Sequence, residues 1–307
     1  MKQVDISVLI TNFNHASFLP ECLDAIFSQS VAPKEVILID DASTDESIPF
    51  ILEYQKRHPE LTLIQNATNQ GPANAMNTCI THATGKYIFL CAADDQVLPN
   101  SFELGAHYLD LYPEAGICCS IPTMFTNEKP YHFKRVSICH QKQATLIPSD
   151  SIKKQFLLTS LWIPTHASLY RRDLVVKYGC LNEGLKHLCD WYLNCKIALL
   201  HGIVYVPQSF GAFRVSTQSY SAKWNRLYLK KNMIYRCLFE LLSQESASFQ
   251  KIFSRSGVLG LISSDVFFHL LFQISLWKYI PSAFYRKTCN FFRKIIQSFD
   301  YKKKRMG

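Results

Sequence analysis

The chain has 307 residues, of which 48% are hydrophobic and 19% charged, with a formal net charge of +9. This length fits one or two domains with a sizeable core, and its 11 Cys include no C-x-x-C pair, which excludes a zinc-ribbon or dithiol redox reading. The charge is uneven: residues 1–225 carry 18 Lys/Arg against 20 Asp/Glu, whereas residues 226–307 carry 15 against 4 and also hold 16 of the 40 aromatics.

The chain opens on Met1-Lys2-Gln3-Val4-Asp5, which reads as the approach to a strand rather than a signal peptide. Reduced thiols and a cytoplasmic setting are the simplest expectation. Ile6 to Ile10 is a buried strand, followed by the polar loop Thr11-Asn12-Phe13-Asn14-His15 and a helix from Phe18 to Gln29. Val36 to Ile39 is a second strand running into Asp40-Asp41-Ala42-Ser43-Thr44-Asp45, with a helix from about Glu46 to Arg57. Leu61 to Ile64 is a third strand, and Asn69-Gln70-Gly71-Pro72 starts a helix with Pro near its first turn. Tyr87 to Leu90 is a fourth, leading into Ala92-Ala93-Asp94-Asp95. Strands alternating with helices predict an α/β chain with a mostly parallel, Rossmann-like sheet.

Residues 123–150 read as an insertion or long loop. Beyond it come a helix over 151–161, a strand at Ala167 to Tyr170, a helix from Arg171, a helix from Cys189 to His201 and a short strand at Val204 to Pro207. From about residue 225 the chain reads as an amphipathic helical extension. In its segment Val258 to Ile280, Asp265, His269 and Gln273 form one polar stripe at i, i+4, i+8. An Asp in that stripe argues against a spanning helix. The stripe, with the tail Lys302-Lys303-Lys304-Arg305, suggests a helix lying on an anionic membrane surface. A partner-packed helix or a solvated tail are the alternatives, and nucleic-acid binding ranks below them.

Three acidic positions carry the chemistry. Adjacent carboxylates at a strand exit raise each other's pKa unless a cation intervenes. Asp94-Asp95 at such an exit therefore points to a hard divalent cation, Mg2+ or Mn2+, holding a phosphorylated ligand. Asp40-Asp41 can accept from a nucleobase or ribose, or else cap the next helix. Gly71 and its small-residue helix start suit an anion. Asp190 at a helix start is compatible with catalysis and equally with a dipole contact.

The runs Ser7 to Asn14, Val36 to Asp45, Asn69-Gln70-Gly71, Ala83 to Ile88, Ala93-Asp94-Asp95, Ala167 to Arg172, Cys189-Asp190-Trp191 and Phe213-Arg214-Val215-Ser216 together resemble family 2 glycosyltransferases over roughly residues 5–220. The resemblance implies a GT-A fold and inverting transfer of a sugar from a nucleotide-diphosphate donor, UDP-linked by expectation, to a saccharide or lipid-linked acceptor. It implies a catalytic domain over 1–224, with a nucleotide-sugar half to about residue 115 and an acceptor half to 224. Carried across, Thr11, Phe13, Asn14, Asp40, Asp41, Gly71 and Asn77 belong to the donor pocket, Asp94 and Asp95 to the metal position and Asp190 to the general base. Three residues depart from the family pattern: Ala93 where a first Asp often stands, Cys189 where a Glu often precedes the base, and Ser216 where a His often follows Arg-Val. None removes an essential carboxylate, so an active enzyme is expected. The rival readings are a non-catalytic, membrane-associated nucleotide-sugar binder and a nucleotidyltransferase. The loop 11–15 has neither Gly nor Lys/Arg and disfavours the second. Surface polysaccharide or lipopolysaccharide synthesis at the inner face of a bacterial membrane is the expected setting.

Overall fold

Burial along the first strand explains the architecture. In the computed structural model, Ile6 to Ile10 are all buried, so this strand is covered on both faces, as expected at the centre of a parallel sheet. The structure describes residues 2–126, 134–135, 141–159, 161–215, 220, 228–262, 266 and 274–286. The strands are β1 (Gln3–Asn12), β2 (Ala32–Asp40), β3 (Leu61–Gln65), β4 (Tyr87–Ala92), β5 (Gln96–Val97), β6 (Ile117–Ser120), β7 (Thr123–Phe125), β8 (Lys134–Arg135), β9 (Thr145–Ile147), β10 (Ser168–Arg171), β11 (Ile203–Val206) and β12 (Gly211–Arg214). The helices are α1 (Leu19–Phe27), α2 (Ser47–Gln55), α3 (Pro72–His82), α4 (Ser101–Leu111), α5 (Ser149–Leu158), α6 (Arg172–Lys177), α7 (Cys189–His201), α8 (Tyr228–Gln244) and α9 (Ala247–Ser256).

An eight-stranded sheet runs in the order β3-β2-β1-β4-β10-β6-β11-β9, and a four-stranded sheet in the order β5-β12-β7-β8. The first four strands are parallel, and β10 enters antiparallel between β4 and β6. Successive strand residues face opposite sides, so the core divides in two. Val8, Ile10, Leu38 and Phe89 pack with α1 and α4. Leu9, Ile37, Ile39 and Leu90 pack with α3 on the other face, in a cluster that runs on through α7. Chain order reverses at β1, which lies between β2 and β4, so the crevice beyond the carboxyl ends of these three strands is the natural ligand site.

Ser7, buried at the sheet centre, donates from its hydroxyl to Glu35 at 2.5 Å and accepts from the Gly85 N–H at 2.8 Å. A Cβ on Gly85 would come 2.6 Å from the Ser7 nitrogen, which explains glycine at this crossing.

The strands β5, β6 and β12 and the helix α4 have no counterpart in the sequence reading, and two further regions differ from it. Residues 123–150 contribute three short strands: β8 and β9 at sheet edges, and β7 between β12 and β8. The expected continuous helix Val258 to Ile280 is broken: Val258–Leu261 is a 3-10 turn, Ile262 is extended, and Ile274–Tyr279 is another 3-10 segment. Gly257 ahead of it is left-handed and ends α9. The stripe residues Asp265, His269 and Gln273, the tail Lys302 to Arg305 and Ser216 lie outside the described residues. Leu238, Leu242, Phe249, Phe253 and Tyr279 join the same buried cluster as α5 and α7.

Candidate active site

The β1–α1 and β2–α2 loops lace together at the crevice. Asn12, at the end of β1, donates from its side-chain amide to Asp40 at 2.6 Å and to the Ser43 hydroxyl at 3.2 Å. Asp40 also accepts from the Ser43 N–H at 2.8 Å and the Ser43 hydroxyl at 2.7 Å. Both Asp40 oxygens are thus engaged within the protein. Asn14 in turn accepts from the Thr44 N–H at 2.7 Å.

Asp41 faces a different set. It accepts from the Asn66 side chain at 2.7 Å and from the N–H groups of Gln70 and Gly71, both at 2.9 Å. These contacts pin the start of α3, where Gly71 has φ of 82°. Ala42, directly after the two aspartates, has φ of 63°. That left-handed conformation is costly for an alanine, and here it accompanies the turn that brings the Ser43 N–H back onto Asp40. Thr11 is half-buried at the strand exit, and Phe13 is exposed beside it. Asn77 lies further along α3 and is paired both ways with the backbone of Leu181, at 2.8 and 2.9 Å. The structure therefore groups Thr11, Phe13, Asn14, Asp40, Asp41 and Gly71 around the crevice, with Asn77 serving a packing contact.

Asp94 and Asp95 occupy the turn between β4 and β5. Burial holds the Asp95 carboxyl well above the usual carboxylate range, and the neighbouring Asp94 raises it further. Arg214, the last residue of β12, opposes this by donating its N–H to Asp95 at 3.0 Å. The Arg214 side chain donates to the Asp94 carbonyl at 3.0 Å, reaches Glu21 at 3.4 Å, and lies between the rings of Phe18 and Phe125 at 4.3 and 4.5 Å. Arg214 thus staples the acidic turn to β12 and α1.

The donor set suits a hard divalent cation. Two oxygen-bearing side chains adjoin, and a cation beside them would favour the charged form of Asp95 that burial and Asp94 disfavour. Among the described residues no group of three or more His, Cys, Asp or Glu could hold a metal. A metal here would need further oxygens from water and ligand phosphates, as Mg2+ and Mn2+ accept.

Asp190 stands in the first turn of α7, half-buried. It accepts from the Trp191 N–H at 2.8 Å and from the Thr165 hydroxyl at 2.7 Å. Thr165 starts a short 3-10 turn, Thr165–Ala167, ahead of β10. His166 in that turn packs at a tilt against Phe213 of β12 with centroids 4.6 Å apart, and burial lowers its pKa to about 3. Strand β12 therefore touches both the acidic turn and the turn that holds Asp190.

Sequence reasoning gave no role to Thr165, Asn194, Asn66 or Arg214. Asn194 was within reach, since it follows Asp190 by four residues and shares its helix face. Asn66 and Thr165 are joined to their aspartates only by the tertiary fold.

The chain matches Glycosyl transferase family 2 over residues 7–179. It is 35% identical over 278 residues to the uncharacterized glycosyltransferase YibD of Escherichia coli K12, covering 78% of this chain and 77% of that one. It is 28% identical over 216 residues to the uncharacterized protein Rv1520 of Mycobacterium tuberculosis, covering 68% of this chain and 58% of the relative's length. Among solved structures it resembles Staphylococcus aureus TarS 1–349 in complex with UDP-GlcNAc, with a TM-score of 0.59 at 16% identity, covering 96% and 92% of the two chains. It also resembles the mannosyltransferase PcManGT of Pyrobaculum calidifontis in complex with GDP-Man and Mn2+, with a TM-score of 0.57 at 17% identity, covering 94% and 85%. The fold is that of the GT-A glycosyltransferases, and the chain belongs to glycosyl transferase family 2.

Proposed function

We propose that this protein is an inverting glycosyltransferase that moves a sugar from a nucleotide-diphosphate donor, UDP-linked by preference, to a saccharide or lipid-linked acceptor. The observation that supports the reading is that Asp41 and Asp95 follow the carboxyl ends of β2 and β4, the two neighbours of β1, while Asp190 is bonded to Thr165 in a turn packed against β12, whose last residue binds Asp95. The nucleotide and nucleotide-sugar ligands of TarS and PcManGT support the donor class.

The loops carrying Thr11, Phe13, Asn14, Asp40 and Asp41 form the nucleoside side of the crevice. Asp40 acts there through the loop it braces. Asp94 and Asp95 would hold Mg2+ or Mn2+, which when bound would neutralise charge on the diphosphate. Asp190 accepts the proton of the acceptor hydroxyl as that oxygen attacks the anomeric carbon. The bond from that carbon to the diphosphate oxygen breaks, and its electrons leave with the nucleoside diphosphate. A sugar hydroxyl is a weak acid, so proton transfer accompanies bond formation. One displacement gives inversion. On this reading, residues 1–115 hold the donor and 116–224 the acceptor.

The acceptor is membrane-proximal in this proposal, as in surface polysaccharide synthesis. Residues 274–286 support it: Leu276, Tyr279 and Ala283 face the core, whereas Trp277, Phe284 and Tyr285 are 52%, 61% and 51% exposed. Aromatic rings of this kind favour a membrane interface, and the basic surplus of 226–307 favours anionic lipid. Among the described residues no helix is long and apolar enough to cross a membrane.

The test is a panel of UDP-glucose, UDP-galactose, UDP-GlcNAc and GDP-mannose with Mn2+, read by thermal shift and nucleotide release. One donor is expected to raise Tm, since a ligand that binds the native state stabilises it, and to be turned over. Asp190→Asn is expected to keep the thermal shift and lose turnover by roughly a thousandfold. A binder that releases no nucleotide from any donor would be the non-catalytic alternative, and wild-type turnover in Asp190→Asn would remove the base assignment.

A further inference from the structure

Asp190 lies where its carboxylate has competing attractions. The first turn of a helix presents N–H groups that have no partner within the helix, and a carboxylate there can rotate to collect them. One Asp190 oxygen already takes the Trp191 N–H at 2.8 Å. The other is held by the Thr165 hydroxyl at 2.7 Å, from a separate segment of the chain.

The direction of that hydrogen bond is fixed from behind. Asn194, 3% exposed and one turn along α7, donates from its side-chain amide to the Ile163 carbonyl and to the Thr165 hydroxyl oxygen, both at 3.1 Å. A carbonyl can only accept, so the amide nitrogen faces this way. The Thr165 oxygen therefore accepts from Asn194, and its single proton is left for Asp190. Donation runs one way: Asn194 to Thr165 to Asp190.

We propose that Thr165, oriented by Asn194, is the positioning residue of the general base, holding the Asp190 carboxylate at the angle that receives the acceptor proton. The inference rests on the reading of Asp190 as that base. Thr165 itself touches no reacting atom. It keeps one carboxylate oxygen from swinging toward the helix N-terminus, and it does so before any substrate arrives. The hydrogen bonds of Thr165 and Asn194 run to Asp190, to the Ile163 carbonyl and to each other, not to Asp41 or the loops 11–16 and 43–45. Removing either residue is therefore expected to slow the chemical step without weakening the donor.

The test uses the full-length protein and nucleotide release from the panel donor that it turns over. Thr165→Val keeps the side-chain shape and removes the proton. Its kcat is expected to fall roughly 10- to 100-fold, the scale of misplacing a reacting group by about an ångström, with the donor KM unchanged within about twofold. Thr165→Ser restores the hydroxyl and is expected to recover kcat to within about threefold of wild type. Asn194→Ala removes the donor that fixes the direction of the Thr165 hydroxyl and is expected to lower kcat at constant KM, by less than Thr165→Val. Wild-type kcat in Thr165→Val, failure of Thr165→Ser to restore it, or a loss expressed in KM alone would overturn the proposal. If Thr165→Val does not fold, Asn194→Ala decides by the same split between kcat and KM. An inactive Asp190→Asn beside a fully active Thr165→Val removes the positioning role and leaves the base; an active Asp190→Asn removes both.

Discussion

Asp95 titrates differently in the folded and unfolded chain, and the difference has a sign. Its folded carboxyl loses its proton at higher pH than the unfolded one, because of burial and the adjacent Asp94. Well below the unfolded carboxyl's pKa of about 4 both states are protonated and the group is neutral to stability. As pH rises, the unfolded chain gives up its proton first, and the folded state loses stability through the folded pKa. Asp95→Asn removes this liability and can still accept the Arg214 N–H. The metal-free variant, in chelator, is expected to melt higher than wild type at pH 7, by on the order of 1–3 °C, with the gain shrinking toward pH 4 and vanishing below it. Equal Tm at pH 7 would contradict the electrostatic account. The same substitution is expected to abolish the manganese-dependent part of donor stabilisation, so residue and metal trade stability against function.

At the scale of elements, β12 sets the site, and glycine makes its position possible. A Cβ on Gly211 would come 1.9 Å from the His166 carbonyl oxygen. Gly211→Ala must push β12 away from the turn that carries Thr165. A cost of about 1–3 kcal/mol in urea unfolding is expected, together with a fall in kcat larger than any change in donor KM. Unchanged stability and turnover would show that the close approach is relaxed at no cost. This strand was not legible in the sequence: four residues with no alternation give no periodic signal, and its pairing with β5 and β7 is long-range. By contrast β1, β2 and β4 are apolar runs covered on both faces, and they read directly. The acidic pairs were visible as pairs, but the division of labour within Asp40-Asp41 depends on Asn12 and Asn66, which lie 28 and 25 residues from their respective partners. Composition in 123–150 hid three strands, because strands this short rest on their neighbours rather than on their own pattern.

On the scale of the whole molecule, the basic C-terminal region has two sides. Its inner residues belong to the core: Phe253 meets Trp191 and Tyr192, while Glu245 accepts from Tyr192 at 2.9 Å and pairs with Lys196 of α7. Truncation at residue 225 would strip this cover from the helix that bears Asp190, so lost membrane pelleting in such a fragment would not identify a lipid contact. Trp277→Ser with Phe284→Ser and Tyr285→Ser in the full chain is the cleaner variant. It is expected to keep wild-type Tm within a few degrees and to lose most sedimentation with vesicles containing phosphatidylglycerol; undiminished sedimentation would place the contact elsewhere. The link through β12 bears on a different matter, the sequence in which substrates are accepted. Asp95 is hydrogen-bonded to the end of that strand, and Asp190 is held by the turn packed against its start. Both carboxylates are thus in place before either substrate arrives, and neither binding event has to build the half of the crevice that the other needs. Donor and acceptor are then expected to add in random order, with intersecting initial-rate plots and a donor affinity by calorimetry that is the same with and without acceptor.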